Sequence, residues 1–449
     1  MSSAGRTLII APWGQPAFWR TATYLLDDIK IDSCTSLTAI VERFGDESDV
    51  VILTLDSLLD EYTKKGEGKC YECYDSNRDL VRKSADAKTY DEALNTLKEF
   101  VKEFVKCLGL SIEPYVVVCP AVGSPGNIWR FTGHPTDFEA VALYHLGKLC
   151  IEKPYTRLVL DLTHGVNFMP AVTLKLAEKL ASIILAAHMG SVASLEEGVE
   201  LQVYNSDPLP SGAAVNNLNI NRIMKDRIKT IIAPHGLPKR LIRHRTKEIE
   251  QAEEQRRINE KYLNAVQLPL SAIYYPLPLA LCETVFQNPA IQQPATILEE
   301  AFNLWYSHVK IGGGEVDRLL GVDPDAVYAL YLVEAFGRRL KAEVKPPPTV
   351  EDLKKLAKLY KVVNKSFYYL ITNEISHIER GLGVLGGWIP LHFLYSEDVE
   401  KRADTRIMIA HAGLQKELVE VNSLKQLRYR RDVSEILREA GLLVSAVEG

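Results

Sequence analysis

Strand–helix alternation over the first half of the chain, a densely charged middle stretch and helical periodicity thereafter predict an α/β domain followed by an all-α domain. Residues 1–212 read as a doubly wound, Rossmann-like domain, 213–267 as a charged helical connector, and 268–449 as an α-helical domain. At 449 residues the chain has room for two or three domains.

The first domain is legible element by element. Thr7–Ala11 reads as a strand, Ser36–Phe44 as a helix and Val50–Leu55 as a strand. A long amphipathic pattern covers Tyr90–Leu108. Tyr115–Cys119 (YVVVC) is a buried strand and Asp137–Cys150 a helix. Thr156–Leu160 is short, apolar and β-prone, so it reads as a buried parallel strand. Ala171–Ala187 follows at helical spacing, with a last strand near Glu200–Tyr204.

In such sheets ligands bind beyond the carboxyl ends of the strands. Three loops leave those ends. They are Pro12-Trp13-Gly14-Gln15-Pro16, the run Ala121-Val122-Gly123-Ser124-Pro125-Gly126-Asn127, and Asp161–Pro170 (DLTHGVNFMP). The last sits on a strand-to-helix turn, where backbone N–H groups and the helix dipole suit an anion. Thr163, His164, Gly165 and Asn167 add hydroxyl, imidazole and amide groups and a flexible backbone. The plain reading is that Thr163 or Asn167 caps the helix and Gly165 permits the turn. Three such loops on one sheet edge favour a binding site over three separate turns.

Composition is 47% hydrophobic and 25% charged, ordinary for sizeable buried cores, and the net charge of −5 gives no global argument for nucleic-acid binding. The N-terminus reads as a first strand ended by Pro12, not as a signal peptide or a membrane span. Seven scattered cysteines, an odd number, point to a reduced, cytoplasmic setting, and Cys70 and Cys73 read as ordinary thiols rather than half a zinc site. Between Asn216 and Lys261 the cations Arg222, Lys225, Arg227, Lys229, Lys239, Arg240, Arg243, Arg245 and Lys247 precede Glu248, Glu250, Glu253 and Glu254. A solvated helical connector with ion pairs between turns explains them; a surface that guides RNA is the alternative.

Helical periods then occupy Ala295–Val309, Asp325–Ala342, Val350–Lys361, Ser366–Ile378 and Ile407–Val421, with Thr349 placed to cap the third. The chemistry-bearing pattern here is Arg406-Ile-Met-Ile-Ala-His411. A histidine can exchange a proton with a ribose 2′-hydroxyl or a leaving 5′-oxygen while an arginine holds the phosphate. No metal or other cofactor is required, because the nucleophile belongs to the substrate. Residues five apart lie roughly 140° apart around an ideal helix. Arg406 and His411 therefore share a site only if the helix distorts or two copies meet. The plain reading is a surface arginine and a hydrogen-bonded histidine. Asn373, Glu374 and His377 could line one helix face and approach Arg406, or be an ordinary polar face. No P-loop, GxGxxG, HExxH or GxSxG is present.

Together, PWGQP after the first strand and DLTHGVNFMP after a later one resemble the CARF domains of CRISPR-associated proteins. A helical domain ending in RIMIAHAGL resembles a HEPN ribonuclease domain. In this order they resemble the CARF–HEPN ancillary ribonucleases of type III CRISPR systems over nearly the whole chain. The resemblance implies a cyclic oligoadenylate activator, usually cyclic tetra-adenylate, bound across a CARF homodimer. It also implies cleavage of single-stranded RNA by paired HEPN domains in antiviral defence. Carried over, Arg406 and His411 match the catalytic pair. Trp13, Gly14, Gln15, Thr163, His164, Gly165 and Asn167 match the ligand loops, with Ser124 and Asn127 beside them. Ile407 departs from the family, which often has Asn there. Two other readings stay open: a ligand-sensing DNA-binding regulator, and a catalytically inactive scaffold.

Overall fold

The computed structural model describes residues 5–45, 47–126, 128–208, 217–233, 236–245, 253–287, 294–382, 387–394 and 402–447. The N-terminal elements are β1 (Arg6–Trp13), β2 (Ala22–Leu26), β3 (Ile29–Ser33), α1 (Leu37–Phe44), β4 (Ser48–Leu55), α2 (Lys69–Ser76), α3 (Arg78–Ala85) and α4 (Tyr90–Leu108). After them come β5 (Tyr115–Cys119), β6 (Arg130–Phe131), α5 (Pro135–Glu152), β7 (Tyr155–Asp161), α6 (Met169–His188), β8 (Val199–Ser206) and β9 (Asn217–Ile228). Eight of the strands form one mixed sheet in the order β3-β2-β9-β8-β7-β1-β4-β5. The apolar runs that predicted strands make its parallel part, β8-β7-β1-β4-β5, which ends at the β5 edge, with Leu8, Ile9, Ile10, Leu158, Val159 and Leu160 fully buried. The chain leaves β1 toward β4 on one side and returns to β7 on the other. The carboxyl ends of β1 and β7 thus flank the point where strand order reverses, which is where such sheets bind ligands.

The expected helical connector is corrected in its first part, since Asn217–Ile228 is a strand antiparallel to β8. Glu200 of β8 meets Lys225 of β9 on one side and Arg157 of β7 on the other, at 3.5 Å each. These cross-strand pairs serve the sheet as turn-to-turn pairs would have served a helix. Further along, Arg243 pairs with Asp323 at 2.6 Å and Arg245 with Asp137. Arg243 and Arg245 are thus spent on pairs within the fold, while Arg222, Lys225, Arg227, Lys229, Lys239 and Arg240 stay exposed. A hairpin absent from the sequence reading, β2–β3, adds the far edge of the sheet. The cysteine expectation is also corrected: Cys70 pairs with Cys34 and Cys73 with Cys107 as disulfides, leaving Cys119, Cys150 and Cys282 free and buried.

The helical half contains α7 (Glu253–Tyr274), α8 (Pro278–Gln287), α9 (Pro294–Ser307), α10 (Pro324–Glu343), α11 (Val350–Tyr360), α12 (Lys365–Gly381) and α13 (Thr405–Ala410). Thr349 caps α11 in a capping box with Asp352, as expected. The helix expected over Ile407–Val421 ends at Ala410 instead. Ala412 and Gly413 take left-handed backbone angles, φ 51° and 73°, and Val419–Val421 is a strand. The half is therefore mainly helical, with short strands that include a hairpin of Val309–Gly312 and Glu315–Arg318 pairing β6.

Packing does not break where sequence composition changes. One buried apolar cluster runs from Leu8 to Leu442, and α10 packs on α5 and α6 as well as on α7 and α9. Polar anchors fix this junction. Arg318, wholly buried, pairs with Asp56 at the end of β4 and donates to the carbonyls of Ala121 (3.0 Å) and Thr132. Asp56 also accepts from Tyr90 Oη and the Ala121 N–H, both at 2.7 Å. Lys179 of α6 joins Glu139 of α5 (2.5 Å) to Asp325 of α10 (2.6 Å). No helix among the described residues is long and apolar enough to cross a membrane.

Candidate functional site

Two places bring together the residues singled out above. The first lies beyond β1 and β7. In-register pairing of Ile10 with Leu160 sets the two following loops side by side, and the Gly14 N–H donates to the His164 carbonyl at 2.9 Å. A Cβ at position 14 would stand 2.6 Å from Val166 Cγ1, so a larger residue there would have to displace the Val166 side chain. The plain capping explanation fails here. Phe168 occupies the N-cap of α6 without a side-chain bond, Thr163 Oγ1 accepts from the Ser206 N–H (3.1 Å), and Asn167 is exposed with φ 52°.

Beside this joint opens a cleft of about 650 Å³ lined by Trp19, Arg20, Tyr24, Thr163, His164 and Asp207 among others. The His164 ring rests on Trp19 at 4.2 Å between centroids. Its Nε2 accepts from the Ser36 N–H at 3.4 Å and lies 3.4 Å from Tyr24 Oη. Burial pushes the imidazole down to about 3, so it is neutral at physiological pH. Asp161 is buried beneath and accepts twice from Ser36 Oγ (2.9 and 2.7 Å) and from the Thr163 N–H (3.2 Å). Burial raises its carboxyl above the usual range. Asp161 therefore ties the end of β7 to the start of α1 rather than facing the cleft.

The other expected ligand residues are spread more widely. Trp13 is 2% exposed and packs edge-on against Trp19 and Phe104, so it supports the cleft from within the core. Gln15 accepts from the Ala17 N–H to cap a short turn. Ser124 is exposed in the loop after β5, with all of β4 between that strand and β1, and does not line the cleft. Asn127 lies outside the described residues. Sequence reading misses Trp19, Arg20, Tyr24, Ser36, Asn205, Ser206 and Asp207. Tyr24 and Ser36 arrive through the β2–β3 hairpin, whose Asp27-Asp28 turn between alternating apolar residues is the available signal.

The second place is the α12–α13 pair. Buried Ile371, Ile375 and Ile378 seat α12 against α11 and leave Asn373 and His377 exposed. Asp404 caps α13 by accepting from the Ile407 N–H at 2.9 Å, and buried Met408 anchors the helix. His411 is the C-cap, with its N–H bonded to the Ile407 carbonyl at 3.0 Å. The left-handed turn at Ala412–Gly413 directs the chain away just beyond it, and Tyr429 Oη secures that turn by donating to the Gly413 carbonyl at 2.8 Å. The His411 side chain is 43% exposed, and its Nδ1 lies 3.0 Å from Glu374 Oε2. Glu374 thus approaches His411 and not Arg406, which stands exposed with no hydrogen bond or ion pair from its side chain among the described residues. Ile407 is also exposed, at 42%.

Residues 8–208 match the family model for the CARF domain of the CRISPR system endoribonuclease Csx1, and residues 364–431 match the model for its HEPN domain. The chain belongs to the CARF–HEPN endoribonucleases of CRISPR systems. The CRISPR system endoribonuclease Csx1 of Methanocaldococcus jannaschii is similar along the length, 27% identical over 454 residues that cover 92% of this chain and 86% of that one. The CARF match contains the loops that build the cleft and all of its lining except Leu218. The HEPN match contains α12, α13 and both members of the Arg406–His411 pattern.

Proposed function

We propose that the chain is an RNA-cleaving switch whose CARF cleft binds a cyclic oligoadenylate and whose HEPN pair then cuts single-stranded RNA without a metal ion. The observation that carries this reading is the Gly14–His164 joint with the aromatic and polar cleft beside it. A neutral imidazole on Trp19, the Arg20 cation, and the Thr163, Asn205 and Ser206 groups suit a ligand that has both bases and phosphates. A cyclic ligand repeats its phosphates, so it suits a site built twice around a two-fold axis, and cyclic tetra-adenylate is the ring we favour. We accordingly assign a homodimer, or a higher assembly of dimers, and a cytoplasmic setting in antiviral defence. Residues 1–212 form the sensor in this reading, 213–267 the connector and 268–449 the effector.

In the effector, Arg406 holds the scissile phosphate and His411 exchanges the proton. The two come from different directions around α13, and a dimer supplies the missing half of each site. Activation requires the ring to prefer one arrangement of the dimer, and α10, packed on α5 and α6 and bonded through Lys179, is the path by which that preference reaches α11 and α12. RNA cleavage in EDTA with cyclic tetra-adenylate tests the assignment. Wild type should cut, and His411→Ala and Arg406→Ala should each fall on the order of 10²-fold or more. Undiminished cleavage by both variants would refute the site, and a wild type that cuts nothing with activator present would favour the inactive scaffold.

A further inference from the structure

We propose that Glu374 is the positioning residue that fixes His411 as a proton acceptor through Nε2. The inference rests on the reading of His411 as catalytic and adds which nitrogen acts and what holds it. Nδ1 of His411 lies 3.0 Å from Glu374 Oε2. A carboxylate only accepts, so Nδ1 carries the proton and donates it, which leaves the Nε2 lone pair bare.

Four features argue against a merely structural bond. The end of α13 is closed by backbone bonds alone, His411 N–H to Ile407 and Gly413 N–H to Met408 (2.7 Å), so the imidazole is not needed as a cap. The Glu374 carboxylate makes no other hydrogen bond or ion pair among the described residues, so it serves this one contact. Its Cα is held by Ile371, Ile375 and Ile378, all buried on the same helix, which gives the contact a rigid base. The carboxylate side chain is 17% exposed while the imidazole is 43% exposed, so the bond is sheltered and the reacting ring is open.

In the reaction the ribose 2′-oxygen forms a bond to phosphorus and its proton passes to Nε2 of His411. The bond from phosphorus to the 5′-oxygen breaks, and that oxygen takes a proton from solvent. The products are a 2′,3′-cyclic phosphate and a 5′-hydroxyl, and Glu374 faces the imidazolium formed on the way. Glutamine at 374 can present its NH2 group to Nδ1 and hold the opposite tautomer, whereas aspartate keeps the carboxylate.

The test compares Glu374→Gln, Glu374→Asp, His411→Ala and the double variant Glu374→Gln/His411→Ala as full-length protein with cyclic tetra-adenylate. Glu374→Gln should lower kcat on the order of 10²-fold with KM for RNA unchanged, and Glu374→Asp should retain more activity. The double variant should be no slower than His411→Ala, since both act through one ring. The proposal is overturned if Glu374→Gln cleaves within two-fold of wild type while His411→Ala is inactive, or if the two losses multiply. Full activity of His411→Ala would instead remove the underlying reading of the site.

Discussion

Replacing His164 with glutamine should change how the chain responds to acid, by an amount its surroundings set. The ring rests on Trp19 and its Nε2 takes the Ser36 N–H, and burial holds the imidazole down to about 3. In the unfolded chain the same group titrates near its usual value of about 6.5. Between those values the unfolded state binds a proton that the folded state refuses, so stability falls as pH falls below about 6.5. At pH 5 the difference is about 1.5 units, or about 2 kcal/mol at 1.36 kcal/mol per unit. A glutamine in its place cannot titrate. Urea unfolding followed by tryptophan fluorescence at pH 7.5 and pH 5.0 measures the difference for His164→Gln. Wild type should lose about 2 kcal/mol more than the variant over this step. Equal losses would mean that His164 protonates in place, and the neutral wedge against Trp19 would be refuted.

Two further perturbations probe the frame around the sites. Arg318→Met leaves the buried Asp56 carboxylate without its charge partner, which should cost about 3–5 kcal/mol, while Asp56→Asn combined with Arg318→Met should recover part of it in the same unfolding assay. Glu283 is buried against the Tyr429 N–H (2.6 Å), and burial pushes its carboxyl up to about 7. Its unfolded value is near 4.5, so its effect on stability runs opposite to that of His164: stability is lost as pH rises from about 4.5 through 7. Glu283→Gln should therefore raise the thermal midpoint at pH 8 and leave it nearly unchanged at pH 4.5; a variant no more stable than wild type at pH 8 would contradict this.

Sequence makes the centre of the sheet plain and its margin obscure. β1, β4 and β7 are buried on both faces, so continuous apolar runs declare them, and the edge strand β5 shows itself by the buried end of its run, Val117–Cys119. β9 is exposed along Asn221–Arg227 and is rich in charge, with Arg222, Lys225, Asp226 and Arg227, and in sequence such a segment looks like a solvated helix face. Only its partner β8, with Glu200 between two cations, decides the matter. The end of α13 is hidden for a related reason. Apolar residues continue past His411 into a strand, and the break rests on left-handed angles at Ala412 and Gly413, of which the glycine alone is a turn signal in sequence.

The sites are half legible. DLTHG and PWGQP stand out because their small residues must let two loops touch, and Gly14 and Gly165 serve that contact. The groups that line the cleft come from a hairpin and from the end of β8, and no local pattern links Tyr24, Ser36 or Asp207 to His164. In the HEPN part, Arg406 and His411 are singled out by residue type and by their place in the last domain rather than by spacing alone. Glu374 is visible on its own helix face, but its direction toward His411 depends on how α12 and α13 pack, which a 37-residue gap in sequence does not encode.

The central claim is that one activator ring, shared by two chains, turns on RNA cleavage. Titrating wild-type protein with cyclic tetra-adenylate in EDTA, while recording bound ligand and the initial rate of single-stranded RNA cleavage, tests it most directly. The account predicts a rate that climbs with occupancy and levels off at one ring for every two chains, with His411→Ala binding the same amount and cutting no RNA. A cleavage rate that stays flat as the CARF clefts fill would contradict it.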